Sequence, residues 1–344
     1  MTRSPSLAPP SPSKAVKQPD KNTWQALDGC IDKRQAFLIQ TRRQIHACPE
    51  TPGNEQRTTK LVADLLKQVG LQPRVMKNDT GIVVDIDLGA PSKSFIALRA
   101  ELDCVNVDDE KSVGYASKNP GVCHACGHDA HSTLVLGAVL GIHEQCVLLR
   151  SLGMKKNIRA VFQPAEENAT GAKSMIEQGA LKDVEAILAV HVEPFIEPGV
   201  IGLRKGPLTS ACRSFHITIT GKSGHSARPY EAIDPIPTAT NIVSLFYQLC
   251  PRSMDSRHPL ALTVASINAG SSFNAIPDQA VITGTLRASR AQDIDAVQTR
   301  MLAILDGVAK STGCEVAAAW PVDAPATNND SALIDLMAVT ATDL

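Results

Sequence analysis

Four short segments of this chain carry side chains that bind cations or move protons. They are Arg99-Ala100-Glu101-Leu102-Asp103, His124-Ala125-Cys126-Gly127-His128-Asp129, Gln163-Pro164-Ala165-Glu166-Glu167 and Ala189-Val190-His191-Val192-Glu193. Together they offer a thiol, imidazoles and carboxylates, the donor set of zinc and similar divalent ions. Each is weak alone. A Cys-x-His pair is more often a buried cysteine beside a structural histidine, and a Glu-Glu pair is usually a solvated face. A strand-end histidine can be a satisfied core residue, and Asp103 can cap a turn or helix. Four such segments at one kind of position are far more specific than any one of them.

That position follows from periodicity. Residues 30–47 and 55–69 carry apolar side chains at helical spacing, and the Pro/Gly run 48–53 separates them. Strand-like runs at 81–88, 94–102, 157–164 and 185–192 then alternate with helical patterns at 131–145 and 171–181. The alternation predicts an α/β sheet with helices on its faces. Asp103, Glu166, Glu167 and His191 lie just past the ends of apolar strands, and Cys126 and His128 lie at a helix start. In an open α/β sheet those places converge on one edge, where ligands bind. Near residue 207 the pattern changes. Strand 214–221, helix 234–249, strands 261–269 and 279–288, helix 292–312 and strand 314–320 follow the β-α-β-β-α-β order of a ferredoxin-like domain. The expected division is a disordered segment over 1–23, a metal-binding domain over 24–206 and 324–344, and an inserted domain over 207–323.

Longer strings carry a resemblance. YASKNPGVCHACGHDAH, VFQPAEE, AVHVEP, GKSGHSARPYEAIDPI and SSFNAIPD resemble the peptidase M20 class, in its aminoacylase, hippurate hydrolase and auxin-conjugate hydrolase branch. The resemblance runs from about residue 35 to the C-terminal end. It implies a zinc-exopeptidase-like fold with a mostly parallel central sheet, and a site for two divalent ions. Zn or Mn would be the ions, with Co or Ni also suited. Cys126 would be a ligand bridging both ions, with His128, Glu167 and His191 as the others. Asp103 would orient a ligand histidine, and Glu166 would be general base and acid. His225 resembles a histidine that reaches substrate across a dimer interface, and Asn274 a substrate-contacting asparagine. By themselves these two read as a turn residue and a loop cap. The implied activity is hydrolysis of N-acyl amino acids or related amidated carboxylates by metal-activated water, in a homodimer formed through the inserted domain. His124 and His131 belong to the motif without an assigned role, and His46, His143, His216 and His258 read as structural or exposed.

The chain departs from the family in three places. Cys104-Val105-Asn106 follows Asp103 where Ala-Leu-Pro is usual, and Tyr230 stands where a histidine often follows the proline. The family also carries a final histidine ligand beyond the inserted domain, whereas the last histidine here is His258. Activity is therefore expected only where that ligand is supplied. The alternative is an M20-like protein that binds metal or ligand without turnover. Cys126 acting as a nucleophile is a poor reading, because the surrounding carboxylates raise a thiol pKa unless a metal compensates.

Bulk composition agrees. The 344 residues suit two domains, and a 43% hydrophobic fraction suits a globular protein. The net charge of −1 points to neither nucleic acid nor an anionic membrane. No apolar run is long enough to span a bilayer. The Pro/Ser/Lys-rich start lacks a secretory apolar region, and nine scattered cysteines argue for a reducing cytoplasm.

Overall fold

The computed structural model describes residues 21–255 and 257–343. The lead-in expected over 1–23 lies, through residue 20, outside them, and from Lys21 the chain is helical. The chain forms two compact units that divide between Glu193 and Pro194.

The first unit opens with helices α1 (Lys21–Asp32), α2 (Gln35–His46) and α3 (Gln56–Gln68). The single helix expected over 30–47 is thus broken. Arg34 leaves the helical region, at φ −103° and ψ 0°, and its N–H donates back to Ile31 O at 2.9 Å. Both halves pack on helix α4 (His128–Glu144), so their apolar spacing runs through the break. Strands β1 (Arg74–Val75), β2 (Ile82–Ile86), β3 (Phe95–Glu101), β4 (Asn157–Gln163) and β5 (Val184–Ala189) form one sheet in the order β1-β2-β4-β3-β5. Helix α5 (Cys146–Ser151) precedes β4, and α6 (Gly171–Glu177) lies between β4 and β5.

This sheet is mixed, not mostly parallel. β3 runs parallel to β4 and to β5, whereas β2 is antiparallel to β1 and to β4. The short link 87–94 between β2 and β3 has no room for a parallel crossover. Strand residues alternate between two apolar clusters. Ile82, Val84, Ala160 and Phe162 pack with Leu66 of α3 and Leu136 and Val139 of α4. Val83, Ala97 and Val161 pack with Met175 of α6 on the other face. Burial on both faces is why β2 and β4 read as nearly continuous apolar runs.

The second unit begins with β6 (Gly206–Pro207), β7 (Ala211–Thr220) and β8 (Gly224–His225). Next come α7 (Pro235–Leu249), β9 (Leu260–Ala269), β10 (Ala275–Ile276) and β11 (Gln279–Ala288). Last are α8 (Ala291–Thr312), β12 (Glu315–Ala319), β13 (Asp323–Ala324), β14 (Asn328–Asn329) and α9 (Ser331–Asp343). The main sheet is antiparallel in the order β12-β7-β11-β9, with β13 also on β7. Two small pairings, β8 with β10 and β6 with β14, lie outside it. Phe215, Ile217 and Ile219 of β7 face Ile242 and Phe246 of α7 and Val297 and Met301 of α8 in one core. Asp234 caps α7, accepting a hydrogen bond from Ile236 N at 2.9 Å, and Pro235 follows where its missing N–H costs nothing.

Candidate metal centre

Parallel β3, β4 and β5 necessarily end on the same edge of their sheet, with Glu101 level with Gln163 and Arg99 level with Ala189. Asp103, Glu166, Glu167 and His191 follow directly, and α4 begins at His128. Two turns allow the close approach. Gly127 is left-handed at φ +89°, and a Cβ there would stand 2.3 Å from Val192 Cγ2, so the Cys126–His128 turn can meet the β5 extension only through glycine. After β4, Ala165 takes φ +50°, a costly conformation for a residue with a Cβ. Fully buried Glu55 holds it, its Oε1 accepting from Ala165 N and Gly53 N, both at 2.8 Å. Burial raises the Glu55 pKa, partly offset by those N–H donors.

His128 is the centre of the group. Its Nδ1–H donates to the Asp103 carbonyl oxygen at 2.8 Å, with Asp103 Oδ1 a further 3.2 Å neighbour that has no hydrogen in line. The Nε2, on the other side of the ring from that bond, lies 3.9 Å from Glu166 Oε2 and 3.8 Å from Glu167 Oε1. Asp103 Oδ2 in turn accepts from Glu167 N at 2.9 Å. Cys126 Sγ stands 3.4 Å from His191 Nε2, while His191 Nδ1–H donates to Val192 O at 2.7 Å. Donor atoms of Cys126, His128 and His191 all lie within 4.8 Å of one another, as do those of His128, Glu166 and Glu167, and of Glu101, His128 and His131.

Charge accumulates around His128. Burial disfavours its proton, but the nearby Asp103 and Cys126 side chains and the charge of Glu101 outweigh burial and lift its pKa to about 11. Burial raises the Glu166 pKa, and the neighbouring Glu167 charge raises it further. Burial also opposes ionisation of Glu101, yet hydrogen bonding to His131 and the Arg99 charge together bring it down to about 2. Anionic groups thus converge on a point that calls for a cation. Ligands around a tetrahedral ion, at roughly 2.0–2.3 Å from it, stand about 3.3–3.8 Å apart. The Cys126–His191 and His128–Glu167 separations of 3.4 and 3.8 Å fit that spacing.

The eight residues singled out in the sequence therefore fall into two places. Asp103, Cys126, His128, Glu166, Glu167 and His191 meet in the first unit. His225 and Asn274 lie together in the second, where Ser226 N donates to Asn274 O at 3.1 Å and His225 Nδ1 accepts from Ala227 N at 3.1 Å. Three residues of the first group carried no role in the sequence reading. Glu101 and His131 join the His128 cluster, and Glu55 holds the turn before Glu166. The His128-x-x-His131 spacing, one helical turn, was the available signal for His131; Glu55 had none.

The model of peptidase family M20/M25/M40 matches residues 97–344. The chain belongs to that family. Among curated relatives, the N-acetyl-L-cysteine deacetylase of Bacillus subtilis (strain 168) is 35% identical over 300 residues, covering 87% of this chain and 71% of the relative. The IAA-amino acid hydrolase ILR1-like 2 of Arabidopsis thaliana is 39% identical over 252 residues, covering 73% of this chain and 56% of the relative. A solved Bacillus subtilis structure, described as a dinuclear metal-binding peptidase of the M20 family, is similar with a TM-score of 0.73 at 29% identity, covering 92% of this chain and 80% of that one. The named relatives are thus hydrolases, and the dinuclear metal binding of the solved Bacillus subtilis relative agrees with the donor groups gathered at His128. Among the described residues, no helix of this M20 chain is long and apolar enough to cross a membrane.

Proposed function

We propose that this chain is a dinuclear metal-dependent amide hydrolase acting on N-acyl amino acids or related amidated carboxylates. The observation that carries it is the double aim of the site: His128 Nε2 faces two glutamates while Cys126 Sγ faces His191 Nε2. In this reading Cys126, His128, Glu167 and His191 hold two divalent ions, Zn or Mn first and Co or Ni next. Such ions, when bound, lower the pKa of a water toward about 7 and polarise an amide carbonyl. Asp103 keeps His128 in the tautomer that presents Nε2. Glu166 takes a proton from the attacking water and hands it to the departing amine. Its raised pKa suits both roles, since a base poised nearer neutrality can also return the proton. His225 and Asn274 contact substrate, in a homodimer built through the second unit. A reducing cytoplasm completes the reading, because it keeps Cys126 a free thiol.

Elemental analysis of the purified protein, beside the Cys126→Ala variant and an assay on N-acetyl amino acids, tests it. The expected result is two ions in the wild type, loss of metal in the variant and hydrolysis by the wild type alone. Wild-type protein that takes up no metal after reconstitution sinks the reading. Metal uptake without hydrolysis of any N-acyl amino acid removes the hydrolase part of it.

A further inference from the structure

A series of contacts runs from the end of β3 to His191 and Cys126 by way of Glu101 and His131, which have no role in the proposed reaction. His131 is fully buried and Glu101 is 3% exposed. Glu101 Oε2 stands 2.8 Å from His131 Nδ1. The other ring nitrogen, His131 Nε2, receives the backbone N–H of Val192 at 2.9 Å. The Val192 carbonyl oxygen lies 2.7 Å from His191 Nδ1, and His191 Nε2 is the atom aimed at Cys126 Sγ.

The direction of every link is dictated by the backbone. A peptide N–H can only donate and a peptide oxygen can only accept. His131 Nε2 must therefore be bare, which puts the His131 proton on Nδ1, where the Glu101 carboxylate accepts it. At the other end His191 Nδ1 must carry a proton, which in the neutral ring leaves Nε2 bare toward Cys126. Val192 is held at both ends, and the His131 and His191 rings stand only 4.5 Å apart. Arg99 secures the far oxygen of Glu101, and the Glu101 peptide oxygen accepts from Ser132 Oγ, so the start of the chain is anchored as well.

We infer that Glu101 and His131 are positioning residues, which set the orientation and tautomer of His191 by fixing the Val192 backbone between them. The inference rests on reading His191 as a ligand and extends it. A ligand histidine is ordinarily oriented by a carboxylate or carbonyl on its second nitrogen. Here that carbonyl belongs to a loop residue just beyond an edge strand. His131 supplies the anchorage that such a residue lacks.

Two measurements test it. The first is long-range nitrogen–proton NMR of the histidine rings in the metal-free wild type. The expected result is the Nδ1–H tautomer for both His131 and His191, and an Nε2–H signal for either overturns the inference. The second is titration with cobalt(II), followed by calorimetry and by the thiolate-to-cobalt absorption. His131→Phe keeps the ring volume and removes both hydrogen bonds. It should weaken cobalt binding by roughly 10–100-fold and shift the absorption band, with thermal unfolding in the far ultraviolet as the check on folding. His131→Gln, whose side-chain oxygen can receive the Val192 N–H, should recover most of the loss. Wild-type cobalt affinity and spectrum in a folded His131→Phe protein overturn the inference. Should that variant not fold, Glu101→Gln, with the same shape and no charge, takes its place, and an unchanged cobalt affinity and spectrum there overturn it equally. A wild-type protein that binds no cobalt defeats the metal reading instead, and the tautomers still decide the relay.

Discussion

Two groups of histidines and carboxylates flank the first turn of α4, and they are built to opposite ends. In one, His46 Nδ1 meets Asp129 Oδ2 at 2.9 Å and His46 Nε2 meets Asp109 Oδ2 at 3.2 Å. Both ring nitrogens thus sit at bonding distance from a carboxylate. Arg42 also donates to Asp129 at 3.2 Å and Ser117 N to Asp109 at 2.8 Å. Each of these carboxylates receives donors at bonding distance, and the group neutralises itself. In the other, His128 faces Glu166 and Glu167 at 3.9 and 3.8 Å, beyond hydrogen-bond range, with a thiol and a second imidazole beside them. The same residue types make a salt network at about 3 Å and, at nearly 4 Å, leave room for a cation between them. Spacing, not composition, separates the structural cluster from the candidate metal site.

The contrast can be broken experimentally. Cys126→Ala should have the largest effect, removing bound metal and bringing hydrolysis of N-acetyl amino acids to background, with elemental analysis and a ninhydrin assay as readouts. Retained metal would mean that the thiol is no ligand. Glu166→Gln should keep its metal and lose roughly 10²–10⁴-fold in kcat; a loss of metal there would make Glu166 a ligand instead of a base. His46→Ala should do the reverse of Cys126→Ala. Leaving Asp129 and Asp109 without their shared donor should cost about 3 kcal/mol of stability in a urea titration, while the folded fraction still binds metal.

A last effect, absent at neutral pH, concerns His124, whose ring lies 6.2 Å from that of His46. Both its nitrogens are buried without a hydrogen-bond partner among the described residues. Burial, partly offset by Asp129, pushes its pKa down to about 4. The folded state therefore keeps the ring neutral where the unfolded chain protonates it. Stability is full above the unfolded value near 6.5 and falls as pH drops from there toward 4, by up to about 3 kcal/mol. His124→Phe should flatten that part of the stability profile in urea titrations at stepped pH. An unchanged slope would show that another group titrates there.

Much of this was legible in the chain itself. The strands ending near Asp103, Glu166 and His191, and the helix opening at His128, carry local apolar periods and end on Gly, Pro or charged residues, which are short-range signals. The broken helix at Arg34 was hidden because α1 and α2 bury the same kind of face against α4. The mixed sheet was hidden because burial on both faces erases the alternation that would mark an antiparallel strand.

By itself, then, the sequence determined which residue types are present, their order and the elements that carry them, because helix and strand periods depend on neighbours a few positions apart. The family resemblance reached further, to Cys126, His128, Glu167 and His191 as candidate ligands. Only the tertiary structure decided which partners hold those donors. Glu55 supports Ala165 from 110 positions away, His46 grips Asp129 from 83, and His131 holds Val192 from 61. Such contacts are set by where parallel strands end and how closely Gly127 lets two turns approach, and no local pattern records a distance across space.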